Sequence, residues 1–223
     1  MSVETIKLIG VIGAGQMGRG IAHVAALAGF NVHLMDANVD ATTTAPGIIK
    51  SYMERQVEKG KATQANVDAA LARITVGTDM SGFADADLVI EAATENEDVK
   101  KAILSQLCPV LKPQAIIASN TSSISITRLA AKTDRPSQFV GMHFMNPVPA
   151  MELVEMIRGI ATGEETFKTV SALALKMGKT PVPAEDFPAF IVNRMLIPMI
   201  NEAVYTLYEG VGTVAAIDNA MRM

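Results

Sequence analysis

Two residues on either side of a Pro-rich connection have the types and spacing to handle a proton. In "FVGMHFMNPVPAMELVEMI" (139–157), His143 interrupts one apolar run and Glu155 interrupts the next. If the runs are strands joined as a symmetric antiparallel pair, the midpoint falls at position 149 and the two side chains stand opposite each other on one face. A carboxylate bonded to one ring nitrogen holds an imidazole in one tautomer and leaves the other nitrogen as an acceptor. That is the arrangement of a general base. The same pattern also describes a core histidine satisfied by a glutamate, and spacing alone leaves both open. The other two of the 3 histidines, His23 in a helix-like stretch and His33 in a strand-like one, are expected to pack or cap.

A second constellation points to phosphate binding. "VIGAGQMG" places Gly13, Gly15 and Gly18 as G-x-G-x-x-G, with Gln16 and Met17 inside the loop. A strand-like run precedes it and a helix-like run follows. In that context Gly13 permits a tight turn, Gly15 clears the approach of a pyrophosphate, and Gly18 allows close helix–strand packing. The helix N-terminus then offers free N–H groups and positive potential. Asp36 ends the next strand-like run, where an acid accepts from adenosine ribose hydroxyls. Its neighbours Ala37 and Asn38 offer no cation for a 2′-phosphate, which favours NAD over NADP.

Weaker signals lie after other strand-like runs. "SNTSS" contributes Asn120 and Ser122; Asn146 follows His143, and Asn193 opens an apolar helical stretch in "FIVNRM". Such groups can bond a hydroxyl, carbonyl or carboxamide, but singly they usually make turns or caps. Glu95 and Lys100, in "EAATENEDVKK", read equally as an acidic helix start.

These residues need a scaffold that delivers strand ends to one edge. Short apolar runs at 7–12, 31–36, 74–78, 87–92, 115–119 and 139–144 alternate with helical patterns at 16–29, 40–73 (two helices), 97–108 and 124–132. Buried strands alternating with helices predict an α/β, Rossmann-type, doubly wound and mainly parallel sheet. A strand is expected at 151–157, a helix at 164–178, and a Pro-broken extended stretch at 180–190. From 190 the spacing becomes helical and strongly apolar. The expected division is 1–184, a dinucleotide-binding domain, and 185–223, the start of a helical C-terminal region. The final helical pattern has no stop signal, which suggests a shortened chain.

Composition narrows the function classes. A net charge of −4, no basic block and 4% aromatic residues argue against nucleic-acid binding. No run of about 20 apolar residues and no signal-peptide pattern are found, so no membrane role is expected. Cys108 is the single cysteine, so a reducing cytoplasm is the expected location and no cysteine metal site is expected.

Taken together, "GAGQMGRGIA", "EAATEN", "ASNTSSISIT", "GMHFMNPVPAMELVE" and "FIVNR", in this order, closely resemble the L-3-hydroxyacyl-CoA dehydrogenases, most of all the bacterial single-function enzymes acting on 3-hydroxybutyryl-CoA. The resemblance spans nearly the whole chain. It implies that His143 is the base for the 3-hydroxyl and that Glu155 orients it. It implies that Ser122 and Asn193 contact the substrate oxygen and thioester end. Glu95, Lys100, Asn120, Asn146 and Ser122 would attend the nicotinamide end of NAD. Ser51 and a lysine of "VEKGK", Lys59 or Lys61, would touch the CoA tail, and the enzyme would be a homodimer. The resemblance assigns substrate binding and dimerisation to the helical region 185–223. Three departures stand out: Met145 where the family usually has phenylalanine, Ala189 for a common glycine, and an end at Met223 before the family's last helices. The competing readings are a dehydrogenase of a free hydroxy acid or sugar acid, and a non-catalytic NAD-binding protein.

Overall fold

The structure, a computed structural model, describes residues 2–223. Eight strands form one sheet: β1 (Leu8–Ile12), β2 (Asn31–Met35), β3 (Ile74–Gly77), β4 (Leu88–Glu91), β5 (Ile116–Ser119), β6 (Phe139–Phe144), β7 (Leu153–Arg158) and β8 (Thr180–Glu185). Their order across the sheet is β3-β2-β1-β4-β5-β6-β7-β8. All neighbours are parallel except β6 and β7. The direction of winding reverses between β1 and β4. In open α/β sheets this leaves a crevice at the carboxyl ends of the strands, where ligands bind.

Parallel strands require crossovers, and helices supply them. They are α1 (Gln16–Leu27), α2 (Val39–Glu58), α3 (Gln64–Leu71), α4 (Glu97–Leu107), α5 (Ile126–Ala130) and α6 (Glu164–Lys176). Side chains of α1, α2, α3 and α6, including Ile21, Ile49, Val67 and Val170, pack on one face of the sheet. Leu104 of α4 and Leu129 of α5 pack on the other. Because both faces are covered, β4, β5 and β6 are buried along their whole length. Each fully buried Ile or Leu contributes roughly 1.5–3 kcal/mol, so this two-sided core is the main stabilisation of the sheet. Polar residues open the helices: Asn38 accepts from the N–H groups of Asp40 and Ala41, and Asn96 from those of Asp98 and Val99.

The Pro-rich stretch after α6 is not merely extended; it forms β8. Pro181 and Pro183 are tolerated because β8 is an edge strand. Thr180 N–H donates to Glu152 O at 2.8 Å, so the alternate positions 181 and 183, which lack an N–H, face away from β7. Beyond β8, α7 (Val192–Tyr208) and α8 (Val214–Arg222) bury none of their side chains. Their apolar residues, among them Met195, Ile200, Val204 and Val214, are exposed. Among the described residues, no helix is long and apolar enough to cross a membrane.

Candidate active site

The register of β6 and β7 pairs His143 with Glu155, as the symmetry of the sequence required. His143 Nδ1 lies 2.7 Å from Glu155 Oε2, with the glutamate fully buried and the histidine 7% exposed. A ring N–H donating to that carboxylate sets the tautomer and leaves Nε2 as the acceptor. The second carboxylate oxygen is also engaged. Glu155 Oε1 accepts from the backbone N–H groups of Ile191 and Val192, both at 2.9 Å, where α7 begins. One acid therefore orients the imidazole and moors the first turn of α7. Phe190 covers the ring, with centroids 5.9 Å apart.

The loop that carries Ser122 is held from two sides. Glu95 Oε1 accepts from Thr121 Oγ1 at 2.6 Å, Ser122 N–H at 2.7 Å and Ser122 Oγ at 2.9 Å. Burial pushes the Glu95 carboxyl up, but these donors and the Lys100 ammonium outweigh it and hold the pKa below the usual carboxylate value. Farther along, Asp186 accepts from Ser125 Oγ, Ile126 N–H and Thr127 N–H at 2.7–2.9 Å. Its carboxyl too is held low against burial, by the Thr127 and Ser125 donors and by Ile126 N–H. Asn193 Nδ2 donates to Ser122 O at 3.4 Å, so the first turn of α7 meets this loop. Asn120 Oδ1 accepts from Phe144 N–H at 2.9 Å, tying the end of β5 to the end of β6.

Lys100 sits beneath the site rather than on its surface. Its ammonium, 1% exposed, donates to Glu91 Oε1 at 2.7 Å and lies 3.6 Å from Glu95 Oε2. Glu91 Oε2 accepts from Ser119 Oγ at 2.6 Å and its Oε1 from Ala93 N–H at 2.8 Å. Glu91 is a member of the site that sequence reasoning missed. Its signal was an acid closing the apolar run "DLVIEA". A buried charge is kept only when paired and hydrogen-bonded, and this one is both.

The glycine loop fits a dinucleotide. Gly13 has φ +102°, and a methyl group on Gly18 would stand 1.7 Å from Gly13 O, so a side chain at position 18 breaks the turn. At Gly15, by contrast, nothing lies within 4 Å of where a Cβ would sit; the cradle is open at the N-terminus of α1. Gln16 and Met17 form the first turn of that helix. Asp36 Oδ2 accepts from Ala14 N–H at 2.8 Å, which locks the loop against the end of β2.

A cavity of about 310 Å³ is lined by Gln16, Arg19, Arg55, Lys59 and Lys61, together with Asn146 and residues 147–150. Among the described residues, none of these four cations makes an ion pair, so the cavity is strongly positive. Ser51 does not line it, whereas both candidate lysines do. Arg19 and Arg55 were not singled out from sequence, because a cation on a helix is ordinarily a solvated one. His23 is buried on α1 with Nε2 3.3 Å from Gln56 Oε1, and His33 Nδ1 lies 2.9 Å from Thr75 Oγ1; both pack, as expected. Among the described residues, no group of His, Cys, Asp or Glu side chains could hold a metal.

A cradle for a dinucleotide and an oriented imidazole meeting at one sheet edge are what hydride transfer requires, and the class is the NAD-dependent oxidoreductase. Residues 8–187 match the family model "3-hydroxyacyl-CoA dehydrogenase, NAD binding domain", and residues 190–223 match the C-terminal domain of the same family. The chain is 60% identical over 218 residues to 3-hydroxybutyryl-CoA dehydrogenase of Bradyrhizobium diazoefficiens, covering 98% of this chain and 74% of the relative. It is 50% identical to a probable 3-hydroxybutyryl-CoA dehydrogenase of Bacillus subtilis, covering 98% and 76%. The crystal structure of (S)-3-hydroxybutyryl-CoA dehydrogenase from Ralstonia eutropha superposes with a TM-score of 0.95 at 46% identity, covering 98% of this chain and 77% of that one. The chain belongs to the 3-hydroxyacyl-CoA dehydrogenase family, and its cofactor is NAD.

Proposed function

We propose that the protein oxidises short-chain (S)-3-hydroxyacyl-CoA, 3-hydroxybutyryl-CoA foremost, to the 3-oxoacyl-CoA, reversibly. The observation that carries this reading is the buried His143–Glu155 pair, 2.7 Å apart, at the same sheet edge as the dinucleotide loop. When bound, NAD⁺ supplies the acceptor for the hydride that leaves C3. His143 Nε2 takes the 3-hydroxyl proton as the C3–H bond breaks, leaving a C3=O double bond; in the reverse direction His143 returns the proton. Glu155 keeps Nδ1 protonated and stabilises the imidazolium that forms.

Ser122 and Asn193, joined through Ser122 O, present a hydroxyl and a carboxamide to the substrate oxygen and thioester end. Asn120, Asn146 and Glu95 attend the nicotinamide end. Lys100 serves there through Glu95, since its ammonium is 1% exposed. Gly13, Gly15, Gln16, Met17, Gly18 and Asp36 hold the pyrophosphate and adenosine ribose. The cavity of Arg19, Arg55, Lys59 and Lys61 takes the phosphates of the CoA tail, with Ser51 nearby on the same helix. The division at 184 and 185, a homodimer formed through the exposed face of α7 and α8, and a cytoplasmic location belong to the same proposal. A family boundary between 187 and 190 supports the division, and the exposed apolar side chains of α7 and α8 support the dimer.

Absorbance of NADH with acetoacetyl-CoA against free acetoacetate tests the reading. Rapid oxidation with the thioester and little with the free acid is expected. Turnover of the free acid alone would overturn the acyl-CoA assignment in favour of a hydroxy-acid dehydrogenase.

A further inference from the structure

Lys179 is a buried cation with no acidic partner. It is 6% exposed, and among the described residues no carboxylate lies within ion-pair distance of its ammonium. Burying a charge without a counter-ion is costly, so what the ammonium does instead bears on its purpose. It donates to Val148 O at 2.6 Å and to Met151 O at 2.8 Å, both in the connection between β6 and β7. Its own backbone is fixed: Lys179 N–H donates to Ala174 O at 2.9 Å at the end of α6, and β8 starts at the next residue. The groups around it are the neutral His23 of α1, Gln56 of α2, the exposed Glu152 before β7, and Lys176 of α6, itself paired with Glu4. Burial pulls the Lys179 ammonium below its ordinary pKa, with Glu152 opposing, which shows how little compensates the charge.

The loop that Lys179 grips is a wall of the cationic cavity. Residues 147–150 line it together with Arg19, Arg55, Lys59 and Lys61. The loop is pressed from the other side as well. Val148 is 2% exposed and packs on Gly20 of α1, so closely that a Cβ at position 20 would stand 2.8 Å from Val148 Cβ. The loop is not held by sheet pairing, and its carbonyls at 148 and 151 point inward, where an apolar side chain at 179 would leave them without a donor.

We propose that Lys179 is a positioning residue for recognition of the CoA tail: by holding the carbonyls of Val148 and Met151 it sets the wall of the cationic cavity against α1. The proposal rests on the reading of that cavity as the CoA-phosphate pocket. It separates Lys179 from the reaction itself, since the ammonium reaches neither His143 nor the dinucleotide loop.

The test compares two thioesters, acetoacetyl-CoA and acetoacetyl-N-acetylcysteamine, which ends before the nucleotide. For Lys179→Met, KM for acetoacetyl-CoA is expected to rise about tenfold, with kcat kept and with the short thioester's kcat/KM unchanged within about twofold. Lys179→Arg, which keeps charge and donors, is expected to recover most of the loss. An unchanged KM for acetoacetyl-CoA, or an equal loss on both thioesters, would overturn the proposal. If Lys179→Met does not fold, Gly20→Ala displaces Val148 from the opposite side and carries the same expectation; no selective rise in KM there would overturn it too. Equal kcat/KM for the two thioesters with the unaltered protein would instead remove the CoA-pocket reading, and this inference with it.

Discussion

At the scale of single residues, the proposed mechanism turns on how one proton is held. His143→Ala is expected to lower kcat by roughly two to four orders of magnitude, as loss of a general base does. NAD binding, followed by fluorescence titration, should stay within about twofold, because no contact of His143 reaches the glycine loop. Glu155→Gln probes orientation rather than presence. Its amide can still accept from Ile191 and Val192 N–H through oxygen, but then offers an NH₂ to His143 Nδ1. The ring responds with the opposite tautomer, Nε2 becomes a donor, and kcat should fall by roughly 10²–10⁴ in steady-state assays. The pair was legible in the sequence because two strands and a midpoint constrain what faces what. Glu91 was not: its meaning depends on Ser119 lying beside it in register and on Lys100 returning from α4. His23 gives a pH prediction. Burial lowers its pKa from 6.5 to about 4, so the unfolded chain takes up a proton that the folded one refuses between those values. Stability is therefore full above pH 6.5 and declines as pH falls towards 4. Unfolding in urea should cost about 2 kcal/mol less at pH 5 than at pH 7. His33, whose pKa burial also lowers, adds in the same sense. His23→Gln should remove the larger part of that slope.

At the scale of elements, the segment 186–192 links the sheet to α7 and is pinned at both ends. Asp186 grips the start of α5, and Glu155 grips Ile191 and Val192. Between these anchors Ala189 and Phe190 take φ of +66° and +52°, a region costly for residues with a Cβ. A glycine at 189 would relieve this. Ala189→Gly is therefore expected to raise unfolding free energy by about 0.5–1 kcal/mol, the relief of strain less the added freedom of the unfolded chain. Chemical denaturation read against kcat checks it, and a loss of stability would mean the anchors do not impose the conformation. The substitution was visible in sequence, but its left-handed backbone was not, because alanine ordinarily signals nothing of the kind. β8 was hidden for the opposite reason. Two prolines spoke against a strand, and only its edge position, with both prolines turned from β7, makes them harmless.

At the scale of the whole molecule, the doubly wound sheet was legible because buried strands read as continuous apolar runs and each helix between them was capped or stopped by familiar residues. Which helices cover which face was not, since that follows from strand order, and order is decided by packing rather than by local pattern. The charge balance misleads at this scale as well. A chain of net charge −4 carries a cavity walled by Arg19, Arg55, Lys59 and Lys61. Salt should screen that cavity selectively. Raising ionic strength from about 0.05 to about 0.5 M is expected to raise KM for acetoacetyl-CoA roughly threefold and to leave the N-acetylcysteamine thioester nearly unaffected. Equal responses would place the tail elsewhere.

The shared carboxylate of Glu155 limits how this architecture can be rebuilt. Any chimera that grafts a foreign helical region onto the sheet must bring two backbone amides to the place now held by Ile191 and Val192. Without them a fully buried oxygen is stranded, and the side chain will turn to find another donor. The histidine would then lose its partner although no residue of the sheet had changed. Exchange of the helical region is thus not modular, and the junction rather than the grafted surface decides whether the hybrid keeps the His143–Glu155 pair.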